Sequence, residues 1–487
     1  MTLTLEDARK TLPEPALFIG GEKVTSTSAG SLARVNPSTG TTLAEFPVAG
    51  PAEVDAAARA AHKAFPAWRR LTADRRREIL WRISELIRRD AEEFKTLSAL
   101  ETGTPTAVNR LDMAIDQFQY YAGFADKFAG ELIASYPAPA LDYVRYTPYG
   151  VIGALITWNG PVVNASMKLA PALAAGNTVV LKSPEFGPFA IMHLAEICAE
   201  AGLPDGVLNV LSGGPETGEA IIRHELVRKV SFTGGPPVAV KIMAAASDSL
   251  TPVVLELGGK SANIVFEDAD ISNAATMAAF MSTVASSGQG CLYPTRLLVH
   301  ESVYEQVLEG VKAVAESPTI GDPLDPATGM GPVISQSAVD RILGYVDEAR
   351  GTARLVTGGE RLGGDLAGGY FIKPTVFADV DNSSKIAQEE VFGPVLAVMP
   401  FKTEEEAIAK ANDTRYGLAA YVHTQDLKRA HRVVEELEAG YVSVNSFPSM
   451  TASAPFGGTK ISGFGREGGR AGIEEYVHHK NVYIPLT

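Results

Sequence analysis

Short apolar runs rich in β-branched residues alternate with amphipathic helical stretches through the middle of this chain, and that alternation leaves few folds open. The runs 151–157, 178–182, 206–211, 229–233 and Val253–Leu257 read as strands, with helical patterns at 189–201 and 238–247 between them. Strands separated by helices form a parallel sheet covered on both faces, because each connection must cross over the sheet. Such sheets take nucleotides at the carboxyl ends of their strands. A second alternating region begins near Gly258: a long helix over 271–286, strand Arg296–His300, a helix over 302–315, and strands near 371–377 and Val395–Phe401. At 487 residues the chain exceeds one hydrophobic core, and the two regions supply two α/β domains that meet near 257–259. Ahead of them, the segment to about Pro66 reads as short strands and turns. A helix over 71–94 follows, with Ile79, Ile83 and Leu86 on its apolar face. Its arginines (Arg75, Arg76, Arg77, Arg82, Arg88, Arg89) alternate with Glu78, Glu85, Glu92 and Glu93, as on a solvated face.

Charge and cysteine usage narrow the function. A net charge of −14 argues against a phosphate-binding or anionic-membrane surface, so no nucleic acid and no membrane are expected as partners. Met1 to Pro15 lacks the apolar core of a secretory signal, and no apolar run is long enough to span a bilayer; a cytoplasmic location is expected. The two cysteines, Cys198 and Cys291, must each be a buried hydrophobe or a reactive thiol. Cys198 sits in an amphipathic helix and reads as core. Two glycine patterns mislead. Gly463 to Gly468 spells G-x-G-x-x-G but follows no strand of a βαβ unit, and Gly259-Lys260-Ser261 lacks the leading glycine of a P-loop. No H-E-x-x-H and no C-x-x-C occurs, so no metal site is expected. No G-x-S-x-G is present.

Four segments carry chemistry. In Ser286-Ser287-Gly288-Gln289-Gly290-Cys291 a thiol follows small residues at the end of a predicted helix, where little bulk shields the sulfur. Alone it reads more readily as a buried structural cysteine. In Val253–Leu257 an acid, Glu256, interrupts an apolar strand. Burial would raise its pKa towards that of a general base, whereas an edge position would leave it in water. In Ile156-Thr157-Trp158-Asn159-Gly160-Pro161 a side-chain amide at a strand end could donate to an oxyanion. In Lys182-Ser183-Pro184-Glu185 a lysine and an acid at the next strand end suit ribose hydroxyls, and the acid would repel a 2′-phosphate.

Those segments, with Phe232-Thr233-Gly234, Leu255 to Lys260, Glu390-x-Phe392-Gly393-Pro394 and Pro455 to Gly458, occur in the order that the aldehyde dehydrogenase superfamily shows, and the chain resembles that family over essentially its whole length. The resemblance implies an NAD-binding domain (1–126 and 150–257) with a three-layer parallel sheet. It implies an α/β catalytic domain (258–445) and a small β extension (127–149 and 446–487) that joins subunits into a homodimer or homotetramer. It implies oxidation of a small-molecule aldehyde with NAD, NADP being left open. Cys291 is then the nucleophile, Glu256 the general base, and Asn159 with the Cys291 backbone amide the oxyanion hole. Lys168 and Glu467 resemble proton-relay residues. Ile156, Thr157, Trp158, Lys182, Glu185, Gly218, Thr233, Gly234, Leu257, Glu390 and Phe392 resemble cofactor contacts. Gly160, Val163, Met167, Gly290, Leu292, Phe447 and Phe456 line up with the substrate pocket. Gly160 stands where a bulky aromatic is frequent, Gly290 and Met167 where larger or aromatic residues are, and Gly235 where serine is. A wider pocket and a bulky or aromatic aldehyde are therefore expected. Two other activities share the nucleophile: a CoA-acylating dehydrogenase, which would not need Glu256, and a nicotinamide-independent thiol esterase, which would not need Lys182 and Glu185.

Overall fold

The computed structural model describes residues 5–486; residues 1–4 and Thr487 lie outside the described residues. Two large sheets organise it. The first has eight strands in the order Gly463–Phe464, Val253–Leu257, Val227–Gly234, Val151–Leu155, Thr178–Ser183, Leu208–Ser212, Leu17–Ile19, Glu22–Val24. Its five central strands run parallel, and antiparallel strands close both edges. The chain moves outward from Val151–Leu155 through two strands, then returns to the other side of Val151–Leu155 with Val227–Gly234. That reversal creates a crevice at the carboxyl ends of these two strands. The second sheet has seven strands in the order Arg354–Thr357, Thr375–Ala378, Val395–Phe401, Arg296–His300, Ala262–Val265, Ala419–His423, Tyr441–Val444. The chain passes from one sheet to the other between Leu257 and Ala262. A three-stranded antiparallel sheet of Glu131–Ile133, Ala140–Pro148 and Val477–Pro485 stands apart and exposes Leu132, Tyr483 and Ile484.

Three expectations need correction. The segment to Pro66 is not all strand and turn: Pro51–Trp68 is a helix. Its buried stripe is Val54, Ala57, Ala58, Ala61 and Trp68, and alanines give a weak apolar signal although they are the best helix formers. Pro51 opens it and the Glu53 carboxylate accepts the Gly50 N–H at 2.8 Å. The helix expected over 71–94 is two, Ala73–Arg89 and Ala91–Thr102, parted at Asp90. Its arginines do pair with acids, Arg75 with Glu78 and Arg89 with Glu200. The helix expected over 271–286 ends at Ala279, continues as one π-turn, Phe280–Val284, and then tightens into 3₁₀ at Ala285–Gly288. Side chains bond elsewhere through this stretch: Ser282 Oγ donates to Pro294 O at 2.9 Å and Ser287 Oγ to Gly331 O at 2.7 Å. These bonds pull the chain off the α-helical path, and Ser286 and Ser287 take positive φ.

The glycine decoy has a structural task. Gly463 pairs antiparallel with Glu256, which closes the edge of the first sheet. Its φ is +116° and a Cβ there would lie 1.9 Å from Leu255 O. We therefore expect Gly463→Ala to push this edge off the strand. The loss should be about 3 kcal/mol from the clash and the left-handed backbone, read as a fall in the denaturation midpoint.

Candidate active site

The crevice of the first sheet meets the amino ends of the second sheet's strands, where Gly259 precedes Ala262–Val265, Cys291 precedes Arg296–His300 and Glu390 precedes Val395–Phe401, and the singled-out residues gather there from both. Cys291 follows the π-turn. Gly288 has φ +71°, and a Cβ on it would sit 2.2 Å from Gly393 O, so only glycine fits this loop. Gln289 pins it: its Oε1 accepts Ile334 N–H at 2.9 Å and its Nε2 donates to Ser286 O at 3.0 Å. The Cys291 residue is half-buried, while Cys198 is fully buried, as the sequence reading had it. The backbone N–H groups of Cys291 and Leu292 face the sulfur. Burial and the nearby carboxylates of Glu390 and Glu256 nevertheless push its thiol up to about 12.

Glu256 lies on Val253–Leu257, which is paired on both sides, and is 4% exposed, so it is not an edge acid left in water. Neither carboxylate oxygen has a hydrogen-bond partner among the described residues. Burial, then the charge of Glu467, raises its pKa well above the ordinary value, against a smaller pull from Lys168 and Arg466. Behind it, Lys168 Nζ donates to Glu467 Oε1 at 2.6 Å and to Ser231 Oγ at 2.9 Å, with all three residues buried. Asn159 Nδ2 donates to Gln289 O at 3.0 Å, which seats this amide against the cysteine loop. Glu390 Oε1 accepts Gly259 N–H at 3.1 Å, and burial lifts its carboxyl to about 7. A Cβ at Gly258 would fall 2.0 Å from Glu390 Oε2.

The residues read as cofactor contacts occupy the crevice. Ile156, Thr157 and Trp158 follow the strand Val151–Leu155, Thr233 and Gly234 end Val227–Gly234, and Leu257 ends Val253–Leu257. Trp158 packs edge-on against Phe392, with ring centroids 5.6 Å apart. Lys182 lies beside Glu185 and Glu216, and burial lowers its pKa. The nearest atoms to a Cβ at Gly218 would be Leu155 Cδ2 at 3.2 Å and Lys182 Cδ at 3.7 Å. An extended ligand with a diol near Lys182 and Glu185 and a flat ring near Phe392 fits this cradle.

An apolar cluster covers the other side of Cys291. It joins Met167, Leu418 and Phe456 with Val163, Leu292, Tyr441 and Met450. Val163 and Met167 come from the helix Pro161–Ala174, which Gly160 precedes. A Cβ at Gly160 would meet nothing closer than Asn164 Nδ2 at 3.6 Å, so this glycine does open space. Gly290 does not: Tyr293 folds back over it, with ring atoms 2.5–2.6 Å from where a Cβ would stand. Phe447 also departs from expectation. It stays outside the cluster, 39% exposed, with its ring edge-on to Phe280. Leu418, Tyr441 and Met450 were missed, because they arrive from the second sheet and a distant loop with no local motif.

Among the described residues, one group could offer three metal-ligand atoms together: Asp90, Glu93 and His193, which belongs to helices of the first sheet's cover rather than to this site.

The sequence model described as the aldehyde dehydrogenase family matches residues 24–482. A betaine aldehyde dehydrogenase of Cereibacter sphaeroides is 41% identical over 97% of this chain and 98% of its own length. The NAD+ complex of a Bacillus cereus aldehyde dehydrogenase superposes with a TM-score of 0.96 at 37% identity, covering 100% of both chains. An indole-3-acetaldehyde dehydrogenase of P. syringae, in complex with NAD+ and IAA, superposes with a TM-score of 0.96 at 37% identity over 99% of each chain.

Cys291 should be the thiol that iodoacetamide labels in the native protein, with Cys198 labelled after unfolding. With its pKa raised, labelling of Cys291 should keep accelerating above about pH 10, where an ordinary thiol has levelled off. Peptide mapping by mass spectrometry against pH checks both.

Proposed function

The chain belongs to the aldehyde dehydrogenase family and is an NAD-dependent oxidoreductase, and from that premise we propose a mechanism, a substrate class and an assembly. The observation that carries the mechanism is a half-buried cysteine, Cys291, beside a buried carboxylate with no hydrogen-bond partner among the described residues, Glu256, whose charge adds to burial and Glu390 in raising the thiol.

The Cys291 thiol gives its proton to water and its sulfur attacks the aldehyde carbon, forming a C–S bond while the carbonyl π pair moves to oxygen. Asn159 Nδ2–H and the Cys291 backbone N–H stabilise that oxyanion. The hydride that leaves the same carbon would have its acceptor in NAD when that cofactor is bound. The enzyme is then a thioester at Cys291. Glu256 takes a proton from water, the hydroxide adds to the acyl carbon, and the C–S bond breaks to give the acid and the thiolate. The proton on Glu256 leaves through Glu467 and Lys168, which lie in hydrogen-bond contact with each other. Lys182 and Glu185 would hold the adenosine ribose, and Glu185 would disfavour NADP by charge. Gly218, Thr233 and Gly234 would border the pyrophosphate. Glu390 and Phe392 would set the nicotinamide ribose and ring, with Ile156, Trp158 and Leu257 as walls. Retention of a buried Glu256 supports water rather than CoA as the acyl acceptor.

The substrate we propose is a bulky or aromatic aldehyde. Open space at Gly160 and the apolar wall of Val163, Met167, Leu292, Leu418, Tyr441, Met450 and Phe456 support it, whereas the Tyr293 ring takes back what Gly290 would have freed. The relative that acts on indole-3-acetaldehyde has the same fold and a flat aromatic substrate. The exposed apolar residues of the three-stranded sheet support a homodimer or homotetramer built through it. No helix among the described residues is long and apolar enough to cross a membrane, and we place the enzyme in the cytoplasm.

Glu256 acts as a base only when ionised, so turnover should rise with pH through a limb well above the ordinary carboxyl range and be lost below it. In Glu256→Gln, a burst of about one NADH per site should persist while the steady rate falls on the order of a hundredfold or more. Stopped-flow absorbance with an aromatic aldehyde reads both phases. An unchanged steady rate would refute the role of Glu256, and CoA-dependent product would redirect the second half of the cycle.

A further inference from the structure

Asn159 is held from two sides. Its Nδ2 donates to Gln289 O at 3.0 Å, and its Oδ1 accepts the Thr157 hydroxyl at 2.7 Å. The two bonds choose one orientation of the amide. A flipped Asn159 would set two oxygens, Oδ1 and Gln289 O, against each other, and its NH2 would face Thr157. With the present orientation one N–H serves Gln289 O and the other remains for a ligand beside Cys291.

We infer that the Thr157 hydroxyl is a positioning residue for this reaction: it locks the Asn159 amide with its free N–H towards the developing oxyanion. The inference rests on the reading of Asn159 as the oxyanion donor. Thr157 is well placed for the task. It lies two residues after the strand Val151–Leu155, which is wholly buried, so its backbone is fixed by the sheet. Its hydroxyl spans the short turn to Asn159 within the same loop, while the Gln289 end of the amide is fixed by the cysteine loop. The hydroxyl thus ties the first sheet's strand end to the nucleophile through one side-chain amide. Preorganised donors act because they need no rotation when charge develops. Without the hydroxyl the amide keeps one bond to Gln289 O, but it can swing about that bond and lose its aim. Thr157 also falls within the expected cofactor contacts. Its hydroxyl is spent on Asn159, which leaves its backbone for the dinucleotide.

The test compares Thr157→Val, Thr157→Ser, Asn159→Ala and the Thr157→Val/Asn159→Ala double variant. Each is assayed for the pre-steady-state NADH burst rate with a saturating aromatic aldehyde, and for NAD affinity by fluorescence titration. Valine keeps the shape and removes the hydroxyl. We expect Thr157→Val to slow the burst about tenfold, the worth of one ordinary hydrogen bond, with NAD affinity within twofold of the parent. Thr157→Ser should recover most of the rate. Asn159→Ala should slow the burst on the order of a hundredfold or more, and the double variant should be no slower than Asn159→Ala, because the hydroxyl acts through the amide. A full burst rate in Asn159→Ala would remove the oxyanion reading itself. A slow Asn159→Ala beside a Thr157→Val at the parent rate would overturn the role of Thr157 alone. So would a multiplicative loss in the double variant, a failure of serine to recover the rate, or a burst loss in Thr157→Val that tracks weaker NAD binding.

Discussion

The burial of Glu256 at the end of its strand governs this site. A carboxylate with no hydrogen-bond partner is costly to ionise inside a protein, and this one is 4% exposed and has none among the described residues. Gly463 closes the sheet edge against it, and Gly457 approaches so closely that a Cβ would come within 2.7 Å of Oε1. Lys168 and Arg466 lend positive charge while Glu467 opposes it. The result is a proton acceptor kept short of solvent and tuned above the ordinary carboxyl range. Two residues further on, Gly258 lies against Glu390, and Gly259 lies against the Cys291 carbonyl. The crossing from one sheet to the other therefore positions the base, the ring-side acid and the nucleophile loop together.

Charge couples these parts. Glu390 and Glu256 both raise the thiol of Cys291, while burial raises Glu390 itself to about 7. Three acids in one low-dielectric space do not all ionise freely, so protonation of one eases ionisation of another. The cysteine is therefore held in reserve as a thiol, and its activation is tied to the charge state of two carboxylates that come from different sheets. The apolar cluster on the far side of the sulfur keeps water low where the aldehyde would sit, and low dielectric strengthens the pull of Asn159 on an oxyanion.

Much of this was legible in the sequence where local pattern and tertiary role agree. The strands Val253–Leu257, Arg296–His300 and Val395–Phe401 match the reading residue for residue, because apolar, largely β-branched or leucine-rich runs sit between turn formers. Glu256 stood out because an acid in such a run contradicts its surroundings. The Pro51–Trp68 helix escaped because its buried stripe is mostly alanine. The π-turn before Cys291 escaped because the Ser282 and Ser287 hydroxyls reach non-local carbonyls there, and periodicity does not report such bonds. Gly290 misled for a related reason: the room beside a glycine belongs to whichever side chain folds over it, here Tyr293 three residues on. Leu418, Tyr441 and Met450 lie more than a hundred residues from Cys291, and only the second sheet's topology brings them to the pocket.

The central claim is that carbon–sulfur bond formation at Cys291 precedes both hydride loss and hydrolysis. Acid-quenched protein, turned over with an aromatic aldehyde and NAD, should carry an adduct of the aldehyde mass less two hydrogens on the peptide holding Cys291 and on no other. Carboxylic acid accumulating with no such adduct at any quench time, or an acyl group mapped to another residue, would contradict the account.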